Sequence, residues 1–393
     1  MTTTAERYRA YRGPAVFSMG FRPFFLFAGL WAALSIPIWI AAYAGLLPIE
    51  QFTRSWHAHE MLFGYLGGVI AGFLLTAVPN WTGRLPVAGA PLAALFALWA
   101  AGRLAMLFQS EFGAAAAIVD SAFLFTLAAI VAREVFAGKN KRNIPVSILV
   151  ALLGCANVLT HLAAVDAGIA LLGERIAIGV VAMLVTLIGG RIVPSFTRNW
   201  MAKRKMQPEP APAGHFDLAA LVITALALLA WIVAPLSLLS GLSLATAGVL
   251  NFVRLTRWRG WKTSAEALVF VLHAGYFWLA LGFALLGLAV VTPTLVPAPT
   301  GIHALTAGAF GVMTLAVMTR ASLGHTGQPL TASPSVTSIY LLVNGAAAVR
   351  TLSPFFLEHY TSLLVLAAAL WSGAFAVFVA VYAPLLLRQR TAG

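Results

Sequence analysis

The chain has 393 residues, of which 61% are hydrophobic and only 9% are charged. A soluble domain carries roughly a quarter charged residues, so this composition excludes a soluble globular protein and favours an integral membrane protein. The net charge of +13 does not indicate nucleic-acid binding, because the basic residues lie in short loops between apolar runs. In such loops they orient a membrane protein and contact anionic lipid.

Apolar stretches of about 20 residues, the length that spans a bilayer, recur along the whole chain. The sequence therefore predicts an all-α, polytopic membrane protein with about twelve transmembrane helices. In chain order they lie near 23–44, 57–79, 87–108, 113–136, 144–165, 172–195, 216–234, 236–256, 264–291, 301–320, 336–354 and 360–387.

Basic residues in the loops predict the orientation of these helices. They cluster before the first helix, after the fourth, sixth and eighth helices, and at the end of the chain. With twelve helices and both termini cytoplasmic, all of them fall on the cytoplasmic side. The residues are Arg7, Arg9, Arg12, Arg22, Arg133, Lys139, Lys141, Arg142, Arg198, Lys203, Arg204, Lys205, Arg254, Arg257, Arg259, Lys262, Arg388 and Arg390.

We predict a single integral membrane domain over 1–393. Its six-helix halves, 1–199 and 215–393, are joined by the polar, Pro-rich linker 200–214, which we expect to be flexible. Glycines are dense in the second, sixth and tenth helices. They either let helices pack closely or leave room for a flat cofactor.

The segment Trp56-His57-Ala58-His59-Glu60 opens the second helix. Imidazoles and a carboxylate are costly to bury in a membrane, and they indicate a bound metal or haem iron. The predicted topology also brings His161 and His303 to the outer side. We therefore predict His57, His59, His161 and His303 as metal ligands. For His161, an interhelical hydrogen bond is as compatible with the sequence as a metal-ligand role.

The H-x-H spacing leaves two arrangements open. On a regular helix, residues two apart point about 200° apart, so His57 and His59 serve different centres. If the helix begins only after His59, an extended H-x-H chelates one copper. Histidine without thiolate suits haem iron or copper. The single Cys155 excludes a multi-cysteine metal site.

A second, looser group of polar residues is predicted toward the cytoplasmic side. It contains His273, near the middle of the ninth helix, and His325, Arg191 and Arg320. Together with His57, His59 and His303, these four residues are the predicted cofactor-binding residues. The two arginines either orient the helices or hold haem propionates or another anion. His273 also suits a plain interhelical hydrogen bond. Separately, Arg103 and Asp120 on the third and fourth helices are predicted to pair with each other.

Several runs of residues together resemble the NnrS family. They are FRPFF (21–25), WHAHEMLFGY (56–65), AGFLLTAVPNWTG (71–83), GGRIVPSFTRNW (189–200) and HALTAGAFGVMTLAVMTRASLGHTG (303–327). The resemblance implies a multi-pass protein of the bacterial inner membrane that contains haem and copper and protects against nitrosative stress. His57, His59, His303 and His325 lie inside the matching runs.

The leading hypothesis is thus a haem–copper protein that binds or converts nitric oxide, or a related small ligand, at a His-ligated centre near the periplasmic side. Whether it is an enzyme stays open, as do its catalytic residues and oligomeric state. The alternative is a twelve-helix secondary transporter whose buried histidines couple an ion or proton. A quinol-coupled reductase is a third hypothesis, for which the sequence reveals no electron donor.

Overall fold

The computed structural model of the protein describes residues 11–47 and 49–389. Over these residues it contains helices and no strand, and eleven helices are long and apolar enough to cross a membrane. The all-α membrane fold is therefore confirmed. Arg7, Arg9 and Arg390 lie outside the described residues. In chain order the long helices are α1 (Phe21–Tyr43), α2 (Arg54–Thr82), α3 (Ala90–Leu107), α4 (Ala114–Ala137), α5 (Lys141–His161), α6 (Ala167–Ala202), α7 (His215–Val233), α8 (Leu238–Arg257), α9 (Ala267–Val291), α10 (Ala298–Thr326), α11 (Pro334–Leu352) and α12 (Leu357–Leu387).

The helix α11 corresponds to the predicted segment 336–354, but it is not one of the eleven most apolar helices. It carries Asn344 and Arg350. Both make hydrogen bonds within the protein: Trp278 Nε1 donates to Asn344 Oδ1 at 2.9 Å, and Arg350 Nη1 donates to Ser353 Oγ at 2.9 Å. Residues 11–47 and 49–389 thus form twelve long helices, one of them more polar than the rest. The side of the membrane that the termini face stays a prediction.

The helices belong to two compact units. The first comprises Met1–Val180, Ala321–Gln328 and Phe375–Gly393, and the second comprises Val181–Arg320 and Pro329–Ala374. The first unit packs around aromatic rings from α1, α3 and α4. Phe24 lies 5.9 Å from Phe96, 6.3 Å from Trp99 and 5.8 Å from Phe123 between ring centroids. The division into two six-helix halves stays a prediction.

Within the described residues, three helices contain a π-helical segment. The segments are Glu60–Tyr65 in α2, Val185–Gly189 in α6 and Ala304–Phe310 in α10. A π turn widens the helix, as in the Leu66 N–H bond to the Met61 carbonyl five residues earlier. Such segments are frequent at functional sites. Two of them begin directly after a histidine, His59 and His303.

The linker between α6 and α7 is held in place by basic side chains of the second unit. Lys262 Nζ donates to the Gln207 carbonyl, and Arg259 Nε donates to the Glu209 carbonyl at 3.3 Å. The Ala211 N–H also donates to the carbonyl of Arg257 at 3.0 Å. These three bonds tie the backbone of the linker to Arg257, Arg259 and Lys262. Whether the linker is flexible stays a prediction.

Candidate metal centre

Among the residues that the structure describes, one group of histidine and carboxylate side chains converges as metal ligands do: His59, Asp120 and His161. Asp120 Oδ2 lies 3.1 Å from His59 Nε2 and 3.0 Å from His161 Nε2. The two imidazole rings are 4.9 Å apart between centroids. His59 and Asp120 are 5% and 1% exposed. Three ligand-type atoms therefore meet inside the first unit.

Local helix geometry positions these side chains. α2 begins at Arg54 because Thr53 caps it: the Trp56 N–H donates to Thr53 Oγ1 at 3.3 Å. On α5, Asn157 and His161 are four residues apart and so share a helix face. Both contact Asp120 on α4, since Asn157 Nδ2 donates to Asp120 Oδ2 at 2.8 Å.

A buried guanidinium joins the group to a second carboxylate. Arg103 Nη1 donates to Glu60 Oε2 at 2.6 Å, and Arg103 Nη2 donates to Asp120 Oδ1. The predicted pairing of Arg103 with Asp120 is confirmed, and Glu60 is an additional partner. Trp31 Nε1 of α1 also donates to Glu60 Oε2, at 2.7 Å. Five helices, α1 to α5, thus supply one buried polar network.

The π-helical segment of α2 makes room for this network. A Cβ atom at Gly64 would lie 2.3 Å from Arg103 Nη1 and 2.8 Å from Glu60 Oε2, so a larger residue there would displace one of them. The Gly64 carbonyl accepts the Trp99 Nε1–H at 2.9 Å. This extra bond fits a widened turn, whose carbonyls do not all bond within the helix.

Hydrogen bonding fixes the tautomer of His59. Its Nδ1 lies 3.0 Å from Glu60 Oε1, and a carboxylate only accepts, so Nδ1 carries a hydrogen. A neutral ring then has its lone pair on Nε2. That atom faces Asn157 Oδ1 at 2.9 Å and Asp120 Oδ2 at 3.1 Å. Lone pairs that face one another need a positive species between them, and either a second ring proton or a metal ion supplies it.

The donor set fits a transition-metal ion. Two imidazole nitrogens and a carboxylate oxygen suit copper, zinc or iron. Ligand atoms about 2.0 Å from one ion lie about 3.3 Å from each other in a tetrahedral arrangement, near the observed 3.0 and 3.1 Å. The His59–Glu60 contact is the carboxylate–histidine bond that orients metal-bound imidazoles. A haem does not fit at His59 Nε2, because Asp120, Asn157 and His161 occupy that side of the ring.

The structure separates the two histidines of the H-x-H segment. Both lie in helical backbone, since α2 begins at Arg54, so they point in different directions. His57 stacks on Trp39 of α1, with ring centroids 4.1 Å apart and an interplanar angle of 17°. An extended segment that chelates one copper is therefore excluded. Whether His57 ligates a different centre stays a prediction.

His303 lies in the second unit, directly before the π-helical segment of α10. Its Nδ1–H donates to the Pro299 carbonyl at 2.8 Å. In a neutral ring this leaves the lone pair on Nε2, and backbone-oriented imidazoles of this kind are typical of haem and metal ligands. The chemistry of His303 fits the predicted ligand role, which stays a prediction.

His273, predicted for the inner group, is buried in the second unit between α9 and α6. Thr197 Oγ1 donates to the Val193 carbonyl at 2.9 Å, so it accepts from His273 Nε2–H, 2.7 Å away. Nδ1 is buried and has no hydrogen-bond partner among the described residues. It packs against Gly260, where a Cβ atom would lie 2.4 Å from it. The interhelical hydrogen bond, one of the two roles considered for His273, is present.

The other members of the inner group have separate surroundings. The guanidinium of Arg320 lies 4.1 Å from the ring centroid of Phe196 in the second unit. Arg191 is partly buried on α6. His325, in the first unit, lies 5.5 Å from the ring centroid of Phe21. Whether the two arginines hold propionates, and whether His325 binds a cofactor, stay predictions.

The glycines of α2 and α10 serve close packing. A Cβ atom at Gly72 would lie 2.7 Å from the Phe25 ring, and one at Gly308 would lie 2.7 Å from the Trp278 ring. At Gly311 it would lie 2.5 Å from Trp371. At these three glycines an aromatic ring fills the space beside the helix; whether other glycines leave room for a flat cofactor stays a prediction.

The second unit contains its own buried polar network, without histidine. Arg254 Nε donates to Asp217 Oδ1 at 3.2 Å, and Nη1 donates to the Tyr276 hydroxyl at 2.6 Å. Tyr276 in turn donates to Asn251 Oδ1 at 2.6 Å. A Cβ atom at Gly190 would lie 2.3 Å from Arg254 Nη2. This network joins α7, α8 and α9 and offers no metal-ligand set.

Sequence reasoning did not identify Asn157, Glu60 and Trp31 as partners of the site. Asn157 had a usable signal, because an amide in an apolar helix needs a partner and lies one turn before His161. Glu60 was identified as costly to bury, but its partner Arg103 lies 43 positions along the chain. Trp31 carried no signal, since a tryptophan in a membrane helix is ordinary.

Comparison with known proteins identifies the family of this chain. The family model described as NnrS protein matches residues 15–390, nearly the whole chain. No curated protein matches the chain. The match covers all twelve helices and both units. This multi-pass membrane protein therefore belongs to the NnrS family.

Proposed function

We propose that this protein is a haem–copper protein of the bacterial inner membrane that binds or converts nitric oxide and protects the cell against nitrosative stress. Membership of the NnrS family supports a role in the nitric oxide response. The observation that carries the proposal is the group formed by His59, Asp120 and His161. Their ligand atoms converge inside the first unit, where a metal ion or a second ring proton must lie between them.

The chain's own residues have distinct parts in this proposal. His59 and His161 supply imidazole nitrogens to copper and Asp120 supplies an oxygen. Glu60 fixes the tautomer and orientation of His59 through the 3.0 Å contact with Nδ1. His59 and Asp120 are buried and the side chain of His161 is 13% exposed, so little bulk water reaches the group, whereas a neutral diatomic molecule partitions into the bilayer. When bound, copper supplies one-electron redox chemistry and haem iron supplies a coordination site for a diatomic ligand.

The haem is assigned to His303, whose Nδ1 is oriented by the Pro299 carbonyl. His273, Arg191 and Arg320 are the remaining candidates for the haem pocket in the second unit, and His57 and His325 are candidate cofactor-binding residues in the first unit. Membrane lipid surrounds the exposed apolar faces of the helices. Both termini and the linker are assigned to the cytoplasmic side, as the loop charges indicate.

Metal analysis and an optical spectrum of the purified full-length protein test the proposal. We expect copper and a Soret band in the wild type. His59→Ala and His161→Ala should each remove copper and keep haem, and His303→Ala should remove the Soret band. His359→Ala is the matched control, because His359 is exposed and should change neither. Copper that survives both cluster variants would contradict the assignment.

A proton-coupled transporter is the second candidate, and one observation favours it. Glu60, Arg103, Asp120 and His59 form a continuous chain of buried ionisable groups, as in proton relays. A second proton on His59 would then occupy the position assigned here to copper. A folded, colourless protein free of metal would favour this function over the haem–copper proposal.

A further inference from the structure

The charge of the candidate metal centre can be counted from its contacts. Two carboxylates, Glu60 and Asp120, face the single guanidinium of Arg103. With both imidazoles neutral, the group carries one net negative charge. The exposed fractions are 0% for Glu60, 1% for Asp120 and 4% for Arg103, so water does not screen this charge.

Hydrogen-bond donors surround both carboxylates. Trp31 Nε1 donates to Glu60 Oε2 at 2.7 Å, and Asn157 Nδ2 donates to Asp120 Oδ2 at 2.8 Å. Arg103 also donates to both carboxylates. A buried charge that is not compensated is strongly unfavourable. One added positive charge makes the group neutral, whereas a divalent ion leaves one positive charge uncompensated.

We infer that this centre selects monovalent copper, Cu(I), over divalent ions, and that Arg103 sets this preference by cancelling one of the two carboxylate charges. The inference rests on the proposed copper site. Sodium and potassium ions prefer oxygen ligands, whereas two imidazole nitrogens suit copper. Arg103 is thus a positioning and charge-setting residue that does not itself ligate the ion.

The test uses full-length protein stripped of metal with a chelator. Cu(I), Cu(II) and Zn(II) are offered separately, Cu(I) without oxygen, and metal per chain is measured against a graded competing chelator. We expect the wild type to hold Cu(I) at least ten times more tightly than Zn(II), and to give no Cu(II) signal in electron paramagnetic resonance. His59→Ala should lose this binding.

Two substitutions separate charge from shape. Arg103→Gln makes the group doubly negative and should shift the preference toward Zn(II) by at least tenfold. Arg103→Lys retains the positive charge and should retain the preference for Cu(I). Arg54→Gln is the control, because Arg54 pairs with Glu174 near the same end of α2 but its side chain is 61% exposed. Thermal unfolding establishes that each variant folds; if Arg103→Gln does not fold, the wild-type selectivity alone decides.

The outcomes distinguish this inference from the proposed function. Zn(II) or Cu(II) bound at His59 as tightly as Cu(I) would overturn the charge argument and leave the metal site in place. Equal preference in Arg103→Gln and Arg103→Lys would overturn the role of Arg103. The metal site itself would be overturned if the wild-type protein bound no metal ion, or bound it no more tightly than the His59→Ala variant does.

Discussion

Gly64→Ala tests whether the π-helical segment of α2 exists to accommodate the buried network. The added methyl group would lie 2.3 Å from Arg103 Nη1, 2.8 Å from Glu60 Oε2 and 3.1 Å from Trp31 Nε1. The Nη1 atom lies at the end of the long Arg103 side chain, but the contacts of this side chain with Glu60 and Asp120 hold the guanidinium in place. The methyl group therefore fits only if the Arg103–Glu60 pair separates.

The expected cost follows from that separation. Breaking a buried ion pair costs about 3–5 kcal/mol because one charge is left uncompensated. Alanine in place of glycine favours the helix by about 1 kcal/mol. We expect Gly64→Ala to lower the free energy of unfolding by about 2–4 kcal/mol, and to reduce copper content because Glu60 no longer holds His59.

Gly67→Ala is the matched control on the same helix. Its added methyl group would lie 3.5 Å from Leu124 Cδ2, an ordinary contact, so we expect stability equal to the wild type or slightly higher. Both variants are compared by thermal unfolding and by metal analysis of the detergent-solubilised protein. Equal stability and equal copper content in the two variants would refute the reasoning.

Three further substitutions separate the two buried networks. Asn157→Leu removes the amide that donates to Asp120 at 2.8 Å. We expect the free energy of unfolding to fall by about 1–3 kcal/mol and the protein to lose its copper. Unchanged copper content would contradict this. Gly190→Ala would bring a methyl group within 2.3 Å of Arg254 Nη2 and should destabilise the protein by about 2–4 kcal/mol. Its copper content should stay at the wild-type level, so a loss of copper would show that the networks are not independent. Tyr276→Phe removes the hydroxyl that accepts from Arg254 at 2.6 Å and should lower the free energy of unfolding by about 1–3 kcal/mol. A variant that unfolds at the wild-type temperature would argue against that bond.

The course of the helices was predictable because apolar length alone specifies a membrane span. Segment 57–79 became Arg54–Thr82, and the difference lies at the ends, where Thr53 caps the helix and Gly83 ends it in a left-handed conformation. Segment 336–354 formed a helix although it is more polar, since Asn344 finds a partner in Trp278. The π-helical segments were not predictable, because a single wide turn does not change the apolar pattern.

The candidate site was predictable only in part. His59 and His161 were selected from residue type and depth, and Arg103 and Asp120 were paired from their similar depth. The contacts that join the histidines to the Arg103–Asp120 pair could not be predicted from the sequence. Asp120 contacts both His59 and Arg103, and this depends on side-chain direction in three helices. Periodicity gives the face of one helix but not its rotation against its neighbours.

X-ray absorption at the copper edge of the loaded full-length protein tests the central claim most directly. If His59, Asp120 and His161 hold the ion, the wild type will show nitrogen and oxygen neighbours at about 2.0 Å with the scattering pattern of two imidazoles. His161→Ala should lose its copper, and any residual copper should show a single imidazole. A sulfur neighbour, or identical spectra from the wild type and His161→Ala, would contradict the assignment.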